Sequence, residues 1–149
     1  EFEPGRTGFI GSPLLGRREP VGGVAAITAW NVPQMLIIAK LAPALLAGCT
    51  VVVKPSPETP LDALFLAQMI DESGFPSGVI SIVPGDGPVG EHLVGHRGVD
   101  KVTFTGSTAG GRRNGARCGE DLRRSTRDQG GGSAARIREE ADEERTSKG

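Results

Sequence analysis

The sequence predicts an α/β domain with a parallel sheet, and three observations carry that reading. Short continuous β-branched runs, such as Thr50-Val51-Val52-Val53, suit strands buried on both faces. Between them lie longer apolar stretches with helix start and stop signals, and Gly or Pro punctuates the junctions. Strand and helix alternate along the chain, the order that right-handed crossovers in a parallel sheet require.

The elements follow in turn. Val21 to Thr28 is a strand of small and β-branched residues. Pro33 to Leu46 is an apolar helix ended by Gly48, and Pro43 is expected to kink or shorten it, because an interior proline has no amide to donate. After the valine strand comes the best-marked helix. Thr59 is the expected N-cap, Pro60 suits the first helical position, and Asp62 completes a Thr-x-x-Asp capping box. Leu61, Leu64, Phe65 and Met69 fall at i, i+3, i+4 and i+8, which predicts one buried face. Gly74 and Pro76 end this helix. Val79 to Val83 is the next strand, Pro88 to Val94 a short helix, and Lys101 to Thr105 another strand. Residues 20–107 thus read as a Rossmann-like parallel sheet with flanking helices, incomplete in extent.

Composition shifts after Ser107. From there on, Leu122 and Ile137 are the only Val, Ile, Leu, Met or Phe residues, and a charged run spans Arg136 to Arg145. Residues 108–149 are therefore expected to form a degenerate helix and a loosely ordered charged tail. A strand through Arg127 and Gln129 would have to bury charge, so none is expected there.

Composition also narrows the function. The 149 residues suffice for one core, not for separate cofactor and substrate domains. Lys and Arg number 17 against 18 Asp and Glu, a net charge of −1, and no basic patch is interleaved with aromatics. That argues against a nucleic-acid binder relying on phosphate neutralisation. Lys40 interrupts the longest apolar run before the roughly 18 residues of a membrane span. The start is acidic, with no apolar signal core, and its lack of Met suggests that residue 1 is not a native start. Cys49 and Cys118 make neither a disulfide framework nor a zinc spacing. A cytoplasmic protein is the expectation.

Several strand-to-helix junctions carry candidate chemistry. Gly85-Asp86-Gly87-Pro88-Val89-Gly90 fits G-x-G-x-x-G after a strand and at a helix start, where backbone can approach a pyrophosphate. A tight turn would use the same glycines. Lys54 ends a buried strand on the side where open parallel sheets bind ligands, or simply snorkels to water. Thr105-Gly106-Ser107 ends a neighbouring strand, able to meet a phosphate or to cap a helix. Asn31, beside Trp30 and before Pro33, is either a helix cap or an amide donor for an oxyanion. His92 and His96 lack a third ligand and read as surface histidines. Cys49 reads as core, and Cys118, though set among arginines, has no general base nearby in sequence.

Taken in order, Arg-Glu-Pro-Val-Gly (18–22), Trp-Asn-x-Pro (30–33), Ala-Gly-Cys-Thr-Val-Val-Val-Lys-Pro-Ser (47–56), Glu-Thr-Pro-Leu (58–61), Pro-Gly (84–85) and Phe-Thr-Gly-Ser-Thr (104–108) resemble the aldehyde dehydrogenase superfamily across residues 17–108. The resemblance implies oxidation of an aldehyde to a carboxylic acid with NAD or NADP, through a cysteine thiolate, an asparagine-stabilised oxyanion and a glutamate base. It implies Asn31 as the oxyanion donor and Lys54 on the adenine-side ribose or a 2′-phosphate. Gly106 and Ser107 would lie against the pyrophosphate, and Trp30, Ser56 and Gly85 complete the implied cofactor set. Ser12 to Arg18 would belong to an arm, within residues 1–19, used in homo-oligomer assembly.

The departures are specific. Pro57 stands where NAD-preferring members carry a ribose-binding Glu, and Glu58, one position on, is expected to point elsewhere. Asp128 stands in for the general-base glutamate, one methylene shorter, with Gly132 at the signature lysine. The family's nucleophile would lie beyond Gly149, so no aldehyde oxidation is expected of this chain alone. A non-catalytic dinucleotide-binding module and a non-functional gene product are the rival readings.

Overall fold

The computed structural model describes residues 2–7, 13–17, 19–120 and 124–129, with side chains over 19–120 and 124–126. β1 (Phe2–Thr7) and β2 (Pro13–Arg17) pair antiparallel as a two-stranded ribbon, with an irregularity between Glu3 and Arg6. The remaining elements are β3 (Gly23–Ile27), α1 (Pro33–Leu46), β4 (Thr50–Lys54), α2 (Pro60–Glu72), β5 (Ile80–Ile82), α3 (Gly87–Gly95), β6 (Lys101–Gly106), α4 (Thr108–Glu120) and β7 (Arg124–Gln129). β3 to β7 form one five-stranded parallel sheet in the order β5-β4-β3-β6-β7.

That order positions the site. From β3 the chain winds outward through β4 to β5, then returns to lay β6 on the other side of β3. The reversal between β3 and β6 opens a crevice at their carboxyl ends, the place where doubly wound sheets take ligands. The core divides along the pleat of β3. Val24 and Ala26 pack with Val51 and Val53 against Ile37 and Leu41 of α1 and Ala63 of α2. Ala25 and Ile27 pack on the opposite face with Val102, Val94 of α3 and Cys118 of α4. A strand covered on both sides reads as a continuous apolar run, which is why β3 and β4 were legible.

Four expectations are corrected. α1 runs unbroken through Pro43: the proline removes one donor, yet its carbonyl and that of Ala44 still accept from Ala47 and Cys49 at 3.1 and 3.0 Å. Gly48, at φ 79°, then takes the left-handed conformation that turns the chain into β4. The N-cap of α2 is Thr59, but its hydroxyl makes no capping bond and is buried without a partner. Asp62 accepts instead from Gln34 Nε2 of α1 at 3.2 Å, so the capping box does not form.

The buried face of α2 is also not the expected one. Leu61, Phe65 and Met69 are 65, 66 and 65% exposed, whereas Ala63 is fully buried with Leu66 and Ile70 packed beside it. Small Ala63 lets the helix axis approach the sheet, and 63, 66 and 70 form their own i, i+3, i+7 stripe. Finally, β7 forms where charge was expected to forbid a strand. It is the edge strand of the sheet, and Arg124, Ser125 and Thr126 are exposed, so no charge is desolvated at these positions.

Candidate functional site

The crevice between β3 and β6 is a cleft of about 670 Å³. Its floor is made by the ends of three strands: Thr28 after β3, Lys54 at the end of β4 and Thr105 in β6. One wall is α3, through Gly87, Gly90 and Glu91, and the other is α4, through Gly110, Arg113 and Asn114. A second cavity of about 710 Å³ opens between α3 and α4, walled by His92, His96, Arg97 and Arg117 but touching no strand end. The two imidazoles there lie 5.8 Å apart. Among the described residues no group of three His, Cys, Asp or Glu side chains could hold a metal.

Lys54 does not reach for open water. It is 4% exposed, and its Nζ donates to the Pro55 carbonyl at 2.6 Å. Its stem lies along Gly90, where a Cβ would sit 3.4 Å from Lys54 Cδ. Burial pushes its pKa below 10.5, opposed by the carboxylates of Asp86 and Glu58. Glu58 was expected to face away, and it does not. Ser56, itself buried, donates its hydroxyl to the Glu58 carboxylate, and both line the cleft. That bond chiefly, and then one from its own backbone, keep the Glu58 carboxyl below 4.5 against an opposing desolvation, with Lys54 adding the least. The flanking Pro55 and Pro57 restrict the backbone of this segment.

At the opposite wall, Ser107 Oγ accepts from the amide of Gly110 at 3.2 Å and so caps α4. Gly106 and Ser107 line the cleft beside that helix start. A Cβ on Gly106 or Gly110 would run into the Phe104 ring, at 2.6 and 2.9 Å. Trp30 and Asn31 also line the cleft, and since Val32 is the N-cap of α1, Asn31 is not spent on capping. Gly85 is not part of the lining: its missing Cβ makes room for the Val89 side chain, 2.6 Å away, so this glycine has a packing reason. Gly87 and Gly90 of the same motif do face the cleft. Asp128 stands on β7 opposite Thr105 in register, at the carboxyl end of the sheet.

Three further contributors line the cleft. Thr28, which the sequence did not single out, and Thr105, which it placed only within the Thr105-Gly106-Ser107 strand end, are 4 and 2% exposed, line the cleft, and carry hydroxyls with no hydrogen-bond partner. They follow the paired residues Ile27 and Phe104 on adjacent strands. A buried hydroxyl left unpaired is costly, so these two suit a polar ligand on the floor. The third is the pair Arg113–Glu91 at the mouth, 3.9 Å apart and well exposed. Only the strand-end position of Thr28 could have flagged it in advance. Orphaned floor hydroxyls, a capped helix start and a glycine wall together fit a dinucleotide. Cys49 and Cys118 are buried and free, and neither lines the cleft. The arginines around Cys118 therefore do not make it a reactive thiol.

Comparison with known proteins gives a consistent picture. The profile of the aldehyde dehydrogenase family matches residues 10–149. Geranial dehydrogenase of Castellaniella defragrans is 54% identical over 140 residues, covering 94% of this chain and 29% of its own length. Aldehyde dehydrogenase 1A1 of Mus musculus is 48% identical over 128 residues, 85% of this chain and 26% of that protein. The crystal structure of a Mycobacterium tuberculosis aldehyde dehydrogenase complexed with NAD+ superposes with a TM-score of 0.79 at 51% identity, covering 87% of this chain and 26% of that one. The chain thus spans between a quarter and a third of these relatives.

Proposed function

The chain belongs to the aldehyde dehydrogenase family, and from that premise we propose that it supplies the dinucleotide half of an NAD(P)+-dependent oxidation of an aldehyde to a carboxylic acid. The observation that carries this is the cleft at the β3/β6 reversal, with a buried lysine, two unpaired hydroxyls and a capped helix start converging on it. A nicotinamide dinucleotide held in this cleft would supply the hydride acceptor. The protein's part is to bind, orient and stabilise.

Lys54 holds the adenine-side ribose, with Ser56 and Glu58 beside it. Gly106 and Ser107, with the amides opening α4, receive the pyrophosphate, where the helix dipole and unpaired N–H groups favour an anion. Trp30 walls the same cleft. Asn31, on the loop before α1, donates its amide to the oxyanion that forms when the aldehyde carbonyl is attacked. Asp128 is the proposed general base, placed by β7 at the carboxyl end of the sheet. The nucleophile is neither Cys49 nor Cys118, because both thiols are packed in the core.

Residues 20–107 form the cofactor domain in this proposal, continued by α4 and β7. Residues 1–19 form an arm for homo-oligomer assembly, a role supported by the antiparallel β1–β2 ribbon. Free cysteines support a cytoplasmic setting, and among the described residues no helix is long and apolar enough to cross a membrane. Trp30 is the only tryptophan and lines the cleft, so it reports occupancy directly. Titration with NAD+ should change its fluorescence saturably, and Lys54→Ala should weaken that response. No response at millimolar NAD+ or NADP+ would refute the cofactor reading. NADH formed from an aldehyde would refute the module reading and require a nucleophile other than the two buried cysteines.

A further inference from the structure

We infer that the cavity between α3 and α4 is a second ligand site, built for a small molecule that carries a phosphate or polyphosphate group. It opens away from the strand ends, and it does not rest on the dinucleotide reading. The cavity holds about 710 Å³, room for a small organic molecule rather than a lone ion. Its wall sets Arg97, with Arg113 and Arg117 of α4, against the single carboxylate of Glu91. That leaves an excess of two positive charges. The carbonyl end of α3 opposes an anion there with only about half a charge.

The donors suit a phosphate in particular. Each guanidinium presents a planar fork of N–H groups that matches two phosphate oxygens. Three such forks offer more N–H groups than a carboxylate accepts, whereas a phosphate ester brings three terminal oxygens. Arg113 meets Glu91 at 3.9 Å and Arg117 meets Glu120 at 3.1 Å, and all four side chains are more than half exposed. Pairs so exposed are weak, so a dianion competes for both guanidiniums. Among the described residues Arg97 has no carboxylate partner. The Arg117 guanidinium lies over Gly95, where a Cβ would sit 3.4 Å from its Nε. His96 adds an N–H donor: its Nδ1 accepts from the Gly98 amide at 3.1 Å, which leaves the ring proton on Nε2. The same three cations repel a metal ion from the imidazoles of His92 and His96.

Glu91, Arg113 and Asn114 also wall the cleft, so the test relies on residues of this cavity alone. The chain has two histidines, and both stand in its wall. Their imidazole resonances in proton–nitrogen correlation spectra therefore report occupancy here, as Trp30 fluorescence reports the cleft. The full chain is titrated with inorganic pyrophosphate at fixed pH and ionic strength. Both histidines should shift along one saturable curve, and Arg97→Gln should weaken that binding about tenfold, the loss of a charge-assisted hydrogen bond. Arg97 is exposed, so the variant should keep the urea midpoint of the parent. Histidine resonances that drift without saturating, or that stay fixed while Trp30 responds, would overturn the site. So would an unchanged affinity in a folded Arg97→Gln chain.

Discussion

Two adjacent residues of α2 should respond very unequally to the same truncation. Leu66 packs against the core formed by β3, β4 and α1, while its neighbour Phe65 is 66% exposed. A fully buried leucine cut to alanine costs about 2–5 kcal/mol. Leu66 is only partly buried, so Leu66→Ala should cost roughly 1–2 kcal/mol, scaled by the area it covers. Phe65→Ala removes a larger side chain but little buried area, and alanine gains a few tenths of a kcal/mol in helix propensity. Its effect should fall within about 0.5 kcal/mol of zero. Urea unfolding followed by far-ultraviolet circular dichroism resolves this, because a pure stability change moves the midpoint at constant m-value. A Phe65→Ala variant destabilised more than Leu66→Ala would refute the orientation of α2. Ala63→Leu extends the test. Ala63 has no exposed surface, and overpacking that contact should cost about 1–3 kcal/mol.

Other outcomes can be checked with the same unfolding assay. Lys40 of α1 is buried and its Nζ donates to Thr103 Oγ1 of β6 at 3.0 Å, so Thr103→Val takes an acceptor from a buried ammonium and should cost about 1–3 kcal/mol. Gly90 lies inside α3, where an added Cβ would sit in van der Waals contact 3.4 Å from Lys54 Cδ, and Gly90→Ala should gain about 0.5–1 kcal/mol from helix propensity, seen as a raised Tm. Burial lowers the Lys54 pKa below 10.5, so as pH approaches 10.5 the unfolded chain binds more protons than the folded one and stability rises. Lys54→Met should flatten that alkaline rise, and an unchanged slope would show that Lys54 does not titrate differently on folding.

What could be read from the sequence follows from which interactions are local. Central strands announce themselves because both faces are covered: Val51-Val52-Val53 needs no partner's identity to be recognised. The strand ends then place Lys54, Gly106 and Ser107 at one edge of the sheet wherever the helices lie, and the structure does bring them together. Helix facing is different. α2 carries apolar residues around most of its circumference, so the Leu61, Leu64, Phe65 and Met69 spacing does not fix the buried face, which the contact at Ala63 decides. Glu58 shows the same limit at the site. Counting positions from Lys54 put its carboxylate on the wrong side, because spacing rules assume a regular backbone and residues 55–59 form a turn between β4 and α2. The hydroxyl of Ser56, which no spacing rule weighs, brings the carboxylate back. The charged strand β7 completes the point. Arginine in a strand is prohibitive only where the strand is enclosed, and whether it is enclosed depends on its place in the sheet order, a long-range property that no window of residues contains.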